Sequence, residues 1–157
     1  MQVTLNWIRD FCNFETPETP LEVGARFSLH VAEVEHVTER CAGLEPIVAA
    51  RVLEVRPHPS AERLRLVRVD LGPAGSLEVV CGAPNVREGL VAPFAPPGAT
   101  LEGRVLEVAT IRGVESRGML CSAKELGVSD DASGLWELPS EIPPGTPLYQ
   151  AFPGLKD

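Results

Sequence analysis

Short apolar runs separated by glycine- and proline-containing turns constrain the fold of this chain more than any other feature. Strand-length runs recur from residue 47 to residue 138, and no internal repeat or low-complexity tract interrupts them. About five such strands with tight turns between them predict a mainly β domain that closes into a small antiparallel barrel. The strand candidates are 47–55, 64–71, 77–81, 90–94, 104–111 and 135–138.

The second strand candidate, 64–71, contains a change of phase. Leu64 and Leu66 follow one alternation, whereas Val67 and Val69 follow the other. A break of this kind predicts a β-bulge, which bends strands in small barrels such as the five-stranded OB-fold. Two further local features are a turn at residues 58–62 and one or two helical turns at residues 122–126. The predicted fold class is therefore mainly β, a five-stranded barrel such as the OB-fold, and the resemblance described below implies that the segment before it is a small, incomplete α/β segment.

That preceding segment, residues 1–39, has a different pattern. An apolar face on residues 7–14 predicts a first short helix. Thr19 and Glu22 have the spacing of a capping box and predict the start of a second helix, and residues 34–37 are predicted to be extended. A segment this short folds poorly alone, and we therefore expect it to pack on another part of the protein or on a partner.

Charge divides the chain in the same place. The whole chain has a net charge of -8, of which residues 1–39 carry -5 and residues 40–151 carry -3. We therefore predict an N-terminal segment (1–39), a barrel domain (40–151) and a C-terminal tail (152–157). A net negative charge disfavours a protein that coats nucleic acid or anionic membrane by bulk attraction, but it leaves room for a local basic site.

Signatures of catalysis, metal binding and secretion are not found. The sequence contains no phosphate-binding loop, no serine nucleophile elbow and no paired zinc histidines. No apolar run reaches the roughly 18 residues of a membrane span, and the start does not resemble a signal peptide. The cysteines form no metal or disulfide spacing, so we expect four reduced thiols in a cytoplasmic protein. We predict no catalytic residue, no metal site and no membrane partner.

Basic residues concentrate between Arg51 and Arg68. Five arginines stand there against two glutamates, which gives this stretch a net charge of +3. Arg63 and Arg65 are two residues apart, so they should point the same way from one strand. Guanidinium groups bind phosphate in a bidentate geometry, which makes these two residues candidates for RNA contact. The alternative, which the spacing alone favours, is an ordinary solvated strand face paired with glutamates.

A second candidate is the polar loop over residues 112–122. Its glycines allow the backbone to approach a ligand closely, and its serine hydroxyls and amides can bind phosphate. Met119 offers an apolar surface on which a base can lie. The alternative is a tight turn with Met119 in the core.

Five sequence blocks occur in the order found in a known family. HPSAERL at 58–64, VCGAPNVREG at 80–89, PGA at 97–99, the loop at 112–122 and ELG at 125–127 resemble the tRNA-binding domain of bacterial phenylalanyl-tRNA synthetase β subunits. The resemblance implies an OB-fold from about residue 40 to residue 148. It also implies that tRNA contacts come from a set of named residues. These are His58, Arg63, Arg65, Asn85, Arg112, Ser116, Met119, Ser122 and Lys124.

The resemblance also implies the role of the chain. Residues 1–39 resemble the start of the same subunit, where they form half of a small α/β domain. The chain would then be a non-catalytic piece of that subunit or a short homologue, with tRNA, the α subunit and the rest of the β subunit as partners and no DNA. ATP and magnesium would bind elsewhere in such a synthetase, so no cofactor is expected here. The alternatives are a protein–protein assembly domain and a free-standing, dimeric tRNA-binding or chaperone-like protein.

Overall fold

A computed structural model describes residues 4, 8, 19–37 and 43–156 of the chain. Among the elements that the structure describes in full, a helix at 20–30 precedes a β-rich region that ends in a short helix at 148–151. The predicted helix over 7–14 lies, apart from Ile8, outside the described residues. The elements are α1 (Pro20–His30), β1 (Val48–His58), β2 (Ala61–Asp70), β3 (Ser76–Cys81), β4 (Val91–Ala95), β5 (Thr100–Leu101), β6 (Arg104–Val105), β7 (Ala109–Ile111), β8 (Val114–Ser116), β9 (Met119–Leu120) and α2 (Leu148–Ala151), with 3-10 turns at Gly72–Ala74 and Pro153–Lys156.

Five strands form one antiparallel sheet in the order β3-β2-β1-β4-β9. Two small hairpins, β5–β6 and β7–β8, form separate two-stranded sheets. The two edge strands β3 and β9 also contact each other, so the sheet curls towards a barrel. Among the described residues their contact is not a hydrogen-bonded ladder, and the sheet keeps two edges. The predicted mainly β class with a five-stranded sheet is confirmed.

The ladder between β1 and β2 has two irregularities, and neither lies at the phase change in 64–71 where the bulge was predicted. Val52 pairs with Val69 and Glu54 pairs with Arg68, which leaves Leu53 as an extra residue of β1. Pro57 pairs with Arg65 and His58 pairs with Ala61, which leaves residues 62–64 of β2 without partners in β1. By contrast, β2 pairs with β3 without any break in register. The phase change in β2 has another cause. Both faces of that strand carry apolar side chains, which are buried on one face and half-buried on the other.

The sheet has a hydrophobic core on each face, and β4 is buried on both of them. The first core lies on the concave side; Phe94, Val52 and Val67 are among its fully buried members. The second core is covered by the segments that follow β4, and Trp136 stacks on Phe152 there with ring centroids 5.1 Å apart. Leu155 also packs against this core. Packing thus continues beyond residue 151, and the domain boundary predicted there stays a prediction.

Three local predictions need correction. Residues 104–111 form β6 and β7 rather than one strand, because β6 pairs with β5 whereas β7 pairs with β8. Leu106 extends the β5–β6 pairing through backbone hydrogen bonds with Gly98 and Ala99. Residues 122–126 form hydrogen-bonded turns and no helix. Residues 135–138 form no regular strand, although their amides donate to neighbouring strands at β4 and after β9.

Helix α1 begins as the sequence predicts. The Thr19 hydroxyl accepts a hydrogen bond from the Glu22 amide at 3.3 Å, and the Glu22 carboxylate accepts one from the Thr19 amide at 2.8 Å. No residue of the helix is buried, and Leu21 and Leu29 are 68% and 79% exposed. Among the described helices, none has the length and apolarity to cross a bilayer.

Candidate functional site

Arginines on the convex face of the sheet are paired with glutamates. Arg56 forms ion pairs with Glu54, at 3.5 Å, and with Glu78. Arg68 lies between the same two glutamates in the strand register, and its guanidinium also reaches the Ser76 hydroxyl at 3.4 Å. We call Glu54, Arg56, Arg68 and Glu78 the paired face. The alternative interpretation, a solvated face with balanced charge, holds here.

Arg63 and Arg65 have a different environment, at the end of β2 nearest the β1–β2 turn. Together with Glu62 they line one open groove of about 450 Å³, whose other lining residues are Gly82, Ala83, Pro84 and Val86. The Arg65 guanidinium donates to the backbone carbonyl oxygens of Glu62, at 2.8 Å, and Leu64, at 3.1 Å. Arg63 is exposed and has no hydrogen bond or ion pair within the described ranges. The groove thus has one tethered arginine and one that is available to a ligand.

The β7–β8 hairpin brings a third arginine to this end of the sheet. Arg112 and Gly113 form its two-residue turn with φ values of 51° and 88°, the left-handed conformation of a type I′ turn. Arg112 is exposed and, in the part of the chain that the structure describes, unpaired. The residue before it, Ile111, accepts a hydrogen bond on its carbonyl from His58, the last residue of β1. We call residues 58–65 together with 111–113 the arginine edge.

His58 is buried inside this edge, with 5% of its surface exposed. Its Nδ1 accepts a hydrogen bond from the Ser60 amide at 3.1 Å, so its Nε2 carries the proton. Nε2 lies 3.1 Å from the Ile111 carbonyl oxygen and donates to it. Both ring nitrogens are therefore occupied by backbone groups, and His58 joins the β1–β2 turn to the tip of the hairpin.

Ser116 is buried at the other end of the hairpin. Its hydroxyl accepts a hydrogen bond from the Val80 amide at 3.1 Å and donates one to the Gly118 carbonyl at 3.0 Å. Gly118 is required where it stands. Its φ is 129°, and a Cβ there would lie 2.4 Å from the Phe94 ring. The hairpin is thus fixed to β3 and closely packed on β4.

Met119 does not extend into solvent. Met119 lies in β9, where it pairs with Ala95 of β4. Its side chain is half-buried and packs against the second core. This position corresponds to the alternative that the sequence left open, a methionine in the core next to a tight turn.

Asn85 stabilises the wall of the groove from behind. Its side chain forms two hydrogen bonds with the backbone of Leu135, accepting at 2.8 Å and donating at 3.0 Å, and a third to Glu137. Arg87 binds the same carboxylate through both terminal nitrogens, at 2.8 and 2.7 Å. Hydrogen bonds from Arg87 and Asn85 lower the pKa of Glu137 to about 2. Asn85 and Arg87 therefore connect the groove wall to residues 135–137.

Ser122 is used in a turn of the chain. Its amide and hydroxyl both donate to the Glu125 carboxylate at 2.7 Å, and its hydroxyl accepts from the Glu125 amide at 3.3 Å. Lys124 lies on the outside of this turn and is exposed. Nearby, burial raises the pKa of the Cys121 and Cys81 thiols, which are both free. Cys12 and Cys41 lie outside the described residues.

The structure thus brings together some of the predicted site residues and separates the others. Arg63, Arg65 and Arg112 belong to the arginine edge, with His58 inside it. Ser116, Asn85 and Ser122 have their side-chain hydrogen bonds satisfied within the protein, and Lys124 lies on a separate turn. The sequence analysis did not single out Pro84 and Val86 as groove-lining residues, although they lie in a block that it quoted. The signal was an Ala-Pro pair directly after a buried strand. Within the described ranges, His, Cys, Asp and Glu form no group that could hold a metal ion.

The chain is similar to known subunits of a tRNA ligase. Phenylalanine–tRNA ligase beta subunits from Nitrobacter winogradskyi and Anaeromyxobacter dehalogenans are 44% identical over 165 residues and 46% identical over 153 residues. These matches cover 100% and 97% of this chain but 20% and 19% of the relatives. The chain therefore spans about a fifth of the length of the curated relatives it matches.

The crystal structure of a MetRS-related protein from Pyrococcus horikoshii superimposes with a TM-score of 0.48 and 22% identity. It covers 64% of this chain and 85% of its own, and a similarity of that size adds no argument. A protein family described as a putative tRNA-binding domain matches residues 47–147, a range that contains the whole arginine edge. The chain belongs to this family of tRNA-binding domains.

Proposed function

We propose that this chain is a non-catalytic tRNA-binding module of a phenylalanine–tRNA ligase beta subunit and that it binds tRNA at the arginine edge. The observation that carries the proposal is the availability of Arg63 and Arg112. Both are exposed and unpaired among the described residues, and the turns that bear them are joined by the His58–Ile111 hydrogen bond. Two free guanidinium groups at one end of a tRNA-binding domain suit neighbouring phosphates of a folded RNA.

Binding in this proposal combines charge with an apolar surface. Arg63 and Arg112 bind phosphate oxygens, and Arg65, held by its two carbonyl contacts, adds positive charge at the groove. The groove residues Pro84 and Val86 provide an apolar surface for a ribose or base. Because few phosphates are neutralised, the affinity is modest and falls as salt rises.

The other predicted contacts take supporting roles in this proposal. His58, Asn85, Ser116 and Ser122 shape the loops, Met119 packs beneath the hairpin, and Lys124 provides at most a peripheral charge. The module itself needs no cofactor, because ATP and magnesium would bind in other parts of the ligase. Its protein partners would be the α subunit and the rest of the β subunit, in the cytoplasm.

A pair of double variants with equal charge change tests the site. Arg63→Ala with Arg112→Ala removes the two free guanidinium groups, whereas Arg56→Ala with Arg68→Ala removes two from the paired face. We expect the first to raise the Kd for tRNA about tenfold or more and to reduce the salt dependence by about 1.4 in log–log slope. The second should change the Kd by less than about threefold. Equal effects of the two double variants would show that only net charge matters, and the proposed site would be wrong.

The exposed helix α1 favours a second candidate function, in assembly. It buries none of its residues, and Leu21, Leu29 and the adjoining Val31 are all well exposed. In this candidate the segment docks on another part of the ligase and the sheet domain acts as a spacer. If the chain binds no tRNA even at low salt, but associates with the rest of a β subunit through this helix, assembly is the better description.

A further inference from the structure

The β7–β8 hairpin needs an external anchor. Its two strands hydrogen-bond only to each other as a sheet, and two-stranded hairpins are at best marginally stable in water. In the part of the chain that the structure describes, two hydrogen bonds connect residues 107–117 to the other strands. One is donated by His58 to Ile111 near the tip, and the other is accepted by Ser116 from Val80 at the base.

The two anchors differ in what they control. Ser116 fixes the end of β8 nearest the sheet, where Gly118 already packs on Phe94. His58 acts at the far end, on the carbonyl directly before Arg112. Without this bond the tip would be held only by the type I′ turn, and Arg112 could move away from Arg63.

We propose that His58 is a positioning residue. It sets the distance between Arg112 and the β1–β2 turn through its Nε2–H bond to Ile111, and it does not contact RNA itself. Histidine suits this role because Nδ1 is occupied by the Ser60 amide, which leaves the proton on Nε2, pointing at the hairpin. The functional part of this inference rests on the proposed tRNA binding at the arginine edge, whereas the tether itself does not.

The two nitrogens can be separated by substitution. In His58→Gln the amide nitrogen can take the place of Nε2 and keep the bond to Ile111. In His58→Asn the amide oxygen can take the place of Nδ1 and keep only the bond from Ser60. A merely space-filling role would also favour glutamine over the shorter asparagine, so His58→Met, which fills the space but has no N–H, is the control. It should lose hairpin protection and tRNA affinity like His58→Asn if the Nε2–H bond matters, and it should keep both if only volume matters.

The experiment measures two properties of the 157-residue chain and its His58 variants. The affinity for unfractionated bacterial tRNA reports the functional effect. The rate of amide hydrogen exchange in β7 and β8 reports whether the hairpin tip is held. We expect His58→Gln to retain most of the affinity and protection. We expect His58→Asn to exchange faster in the hairpin and to bind about three- to tenfold more weakly. His58→Ala should resemble His58→Asn if it folds, and the other variants decide the question if it does not.

Two outcomes would overturn the inference. If hairpin exchange is the same in His58→Gln and His58→Asn, His58 does not hold the tip. If exchange differs but tRNA affinity does not, the tether exists but does not position an RNA contact. Failure of the proposed function has its own signature: the wild-type chain and Arg112→Ala would then bind tRNA equally or not at all, while the exchange data would still decide the tether.

Discussion

The paired face and the arginine edge take most of their arginines from the same two strands, yet they differ in electrostatic state. On the paired face, Arg56 forms ion pairs with Glu54 and Glu78, and Arg68 lies between the same two glutamates in the strand register. At the arginine edge, Arg63 has no such partner among the described residues. A phosphate that approaches the paired face must compete with carboxylates already in ion pairs with Arg56, whereas at the edge Glu62 lines the groove but forms no ion pair with Arg63.

The comparison shows why a stretch with a net charge of +3 is a poor guide to a binding site. Arg51 adds a further example, since its guanidinium donates to the Ser140 carbonyl at 2.9 Å. Most of the arginines in this stretch are thus committed to contacts within the protein. The two regions differ in whether their arginines are bonded to other groups of the protein, and not in the number of their charges. The following experiments test that conclusion.

The largest effect is expected where the hairpin meets the sheet. Gly118→Ala places a methyl group against Phe94 and the Ala95 carbonyl, at a φ that disfavours side chains. We expect a loss of about 3 kcal/mol in the free energy of unfolding, measured by urea denaturation, and weaker tRNA binding because the hairpin shifts. Gly89→Ala is the control: its φ is 82°, but no atom lies within 4 Å, so a loss of about 1 kcal/mol is expected. Equal losses would contradict the close packing of Gly118.

The next experiment makes the paired face resemble the arginine edge. Glu54→Gln with Glu78→Gln releases Arg56 from its two ion pairs and removes both carboxylates that flank Arg68 in the strand register. We expect tRNA to bind about three- to tenfold more tightly, with a steeper salt dependence, because two more guanidinium groups become available. Stability should change by less than about 1 kcal/mol, since the ion pairs are exposed.

The matched control for this experiment is Glu88→Gln with Glu141→Gln, which removes the same charge from exposed positions. A similar gain in affinity from the control would mean that overall charge explains the effect. The contrast between paired and unpaired arginines would then have no functional meaning.

A smaller, pH-dependent effect is expected at Glu137, the partner of Arg87 behind the groove wall. The pKa of this carboxyl is lowered from 4.5 to about 2 by its hydrogen bonds, so the folded state is favoured by its ionisation above about 4.5. That stability is lost as the pH falls from about 4.5 towards about 2. Glu137→Gln should therefore be less stable than the wild type at neutral pH, and the difference should shrink through this window.

Urea unfolding at a series of pH values provides the measurement, with Glu141→Gln as a control at an exposed carboxyl. A difference between the wild type and Glu137→Gln that does not change with pH would show that the Arg87 and Asn85 contacts do not act through the charge of Glu137.

The smallest effect is expected at Arg117, which lies between the hairpin and Gly118 but is paired with Glu115. Both side chains are exposed, and such pairs contribute little to stability. Arg117→Ala should change tRNA affinity less than about twofold, whereas Arg112→Ala should weaken it several-fold. A larger effect at Arg117 than at Arg112 would show that position near the hairpin base matters more than the absence of a partner.

Much of the fold follows from local sequence patterns. Alternating apolar residues predict the five-stranded, mainly β architecture, and Thr19 and Glu22 predict the start of helix α1, because each signal depends on neighbouring residues along the chain. The positions of the register shifts between β1 and β2, the division of 104–111 into two strands and the absence of a helix at 122–126 were not predicted. These features depend on long-range backbone partners, such as the bonds between Leu106 and the segment at Gly98.

The sequence alone thus determined the fold class, the family resemblance and a set of residues that includes the arginine edge. Only the tertiary structure decided which polar side chains are free. Whether Arg68 meets Glu54 and Glu78 depends on cross-strand register, which the extra residue Leu53 shifts by one position. Likewise, His58 and Ser116 are polar residues in motifs, and only the packing of the β7–β8 hairpin on the sheet makes them buried anchors. The hydrogen bonds and ion pairs of a side chain depend on which residues lie next to it in three dimensions, and the linear order of residues does not specify those neighbours.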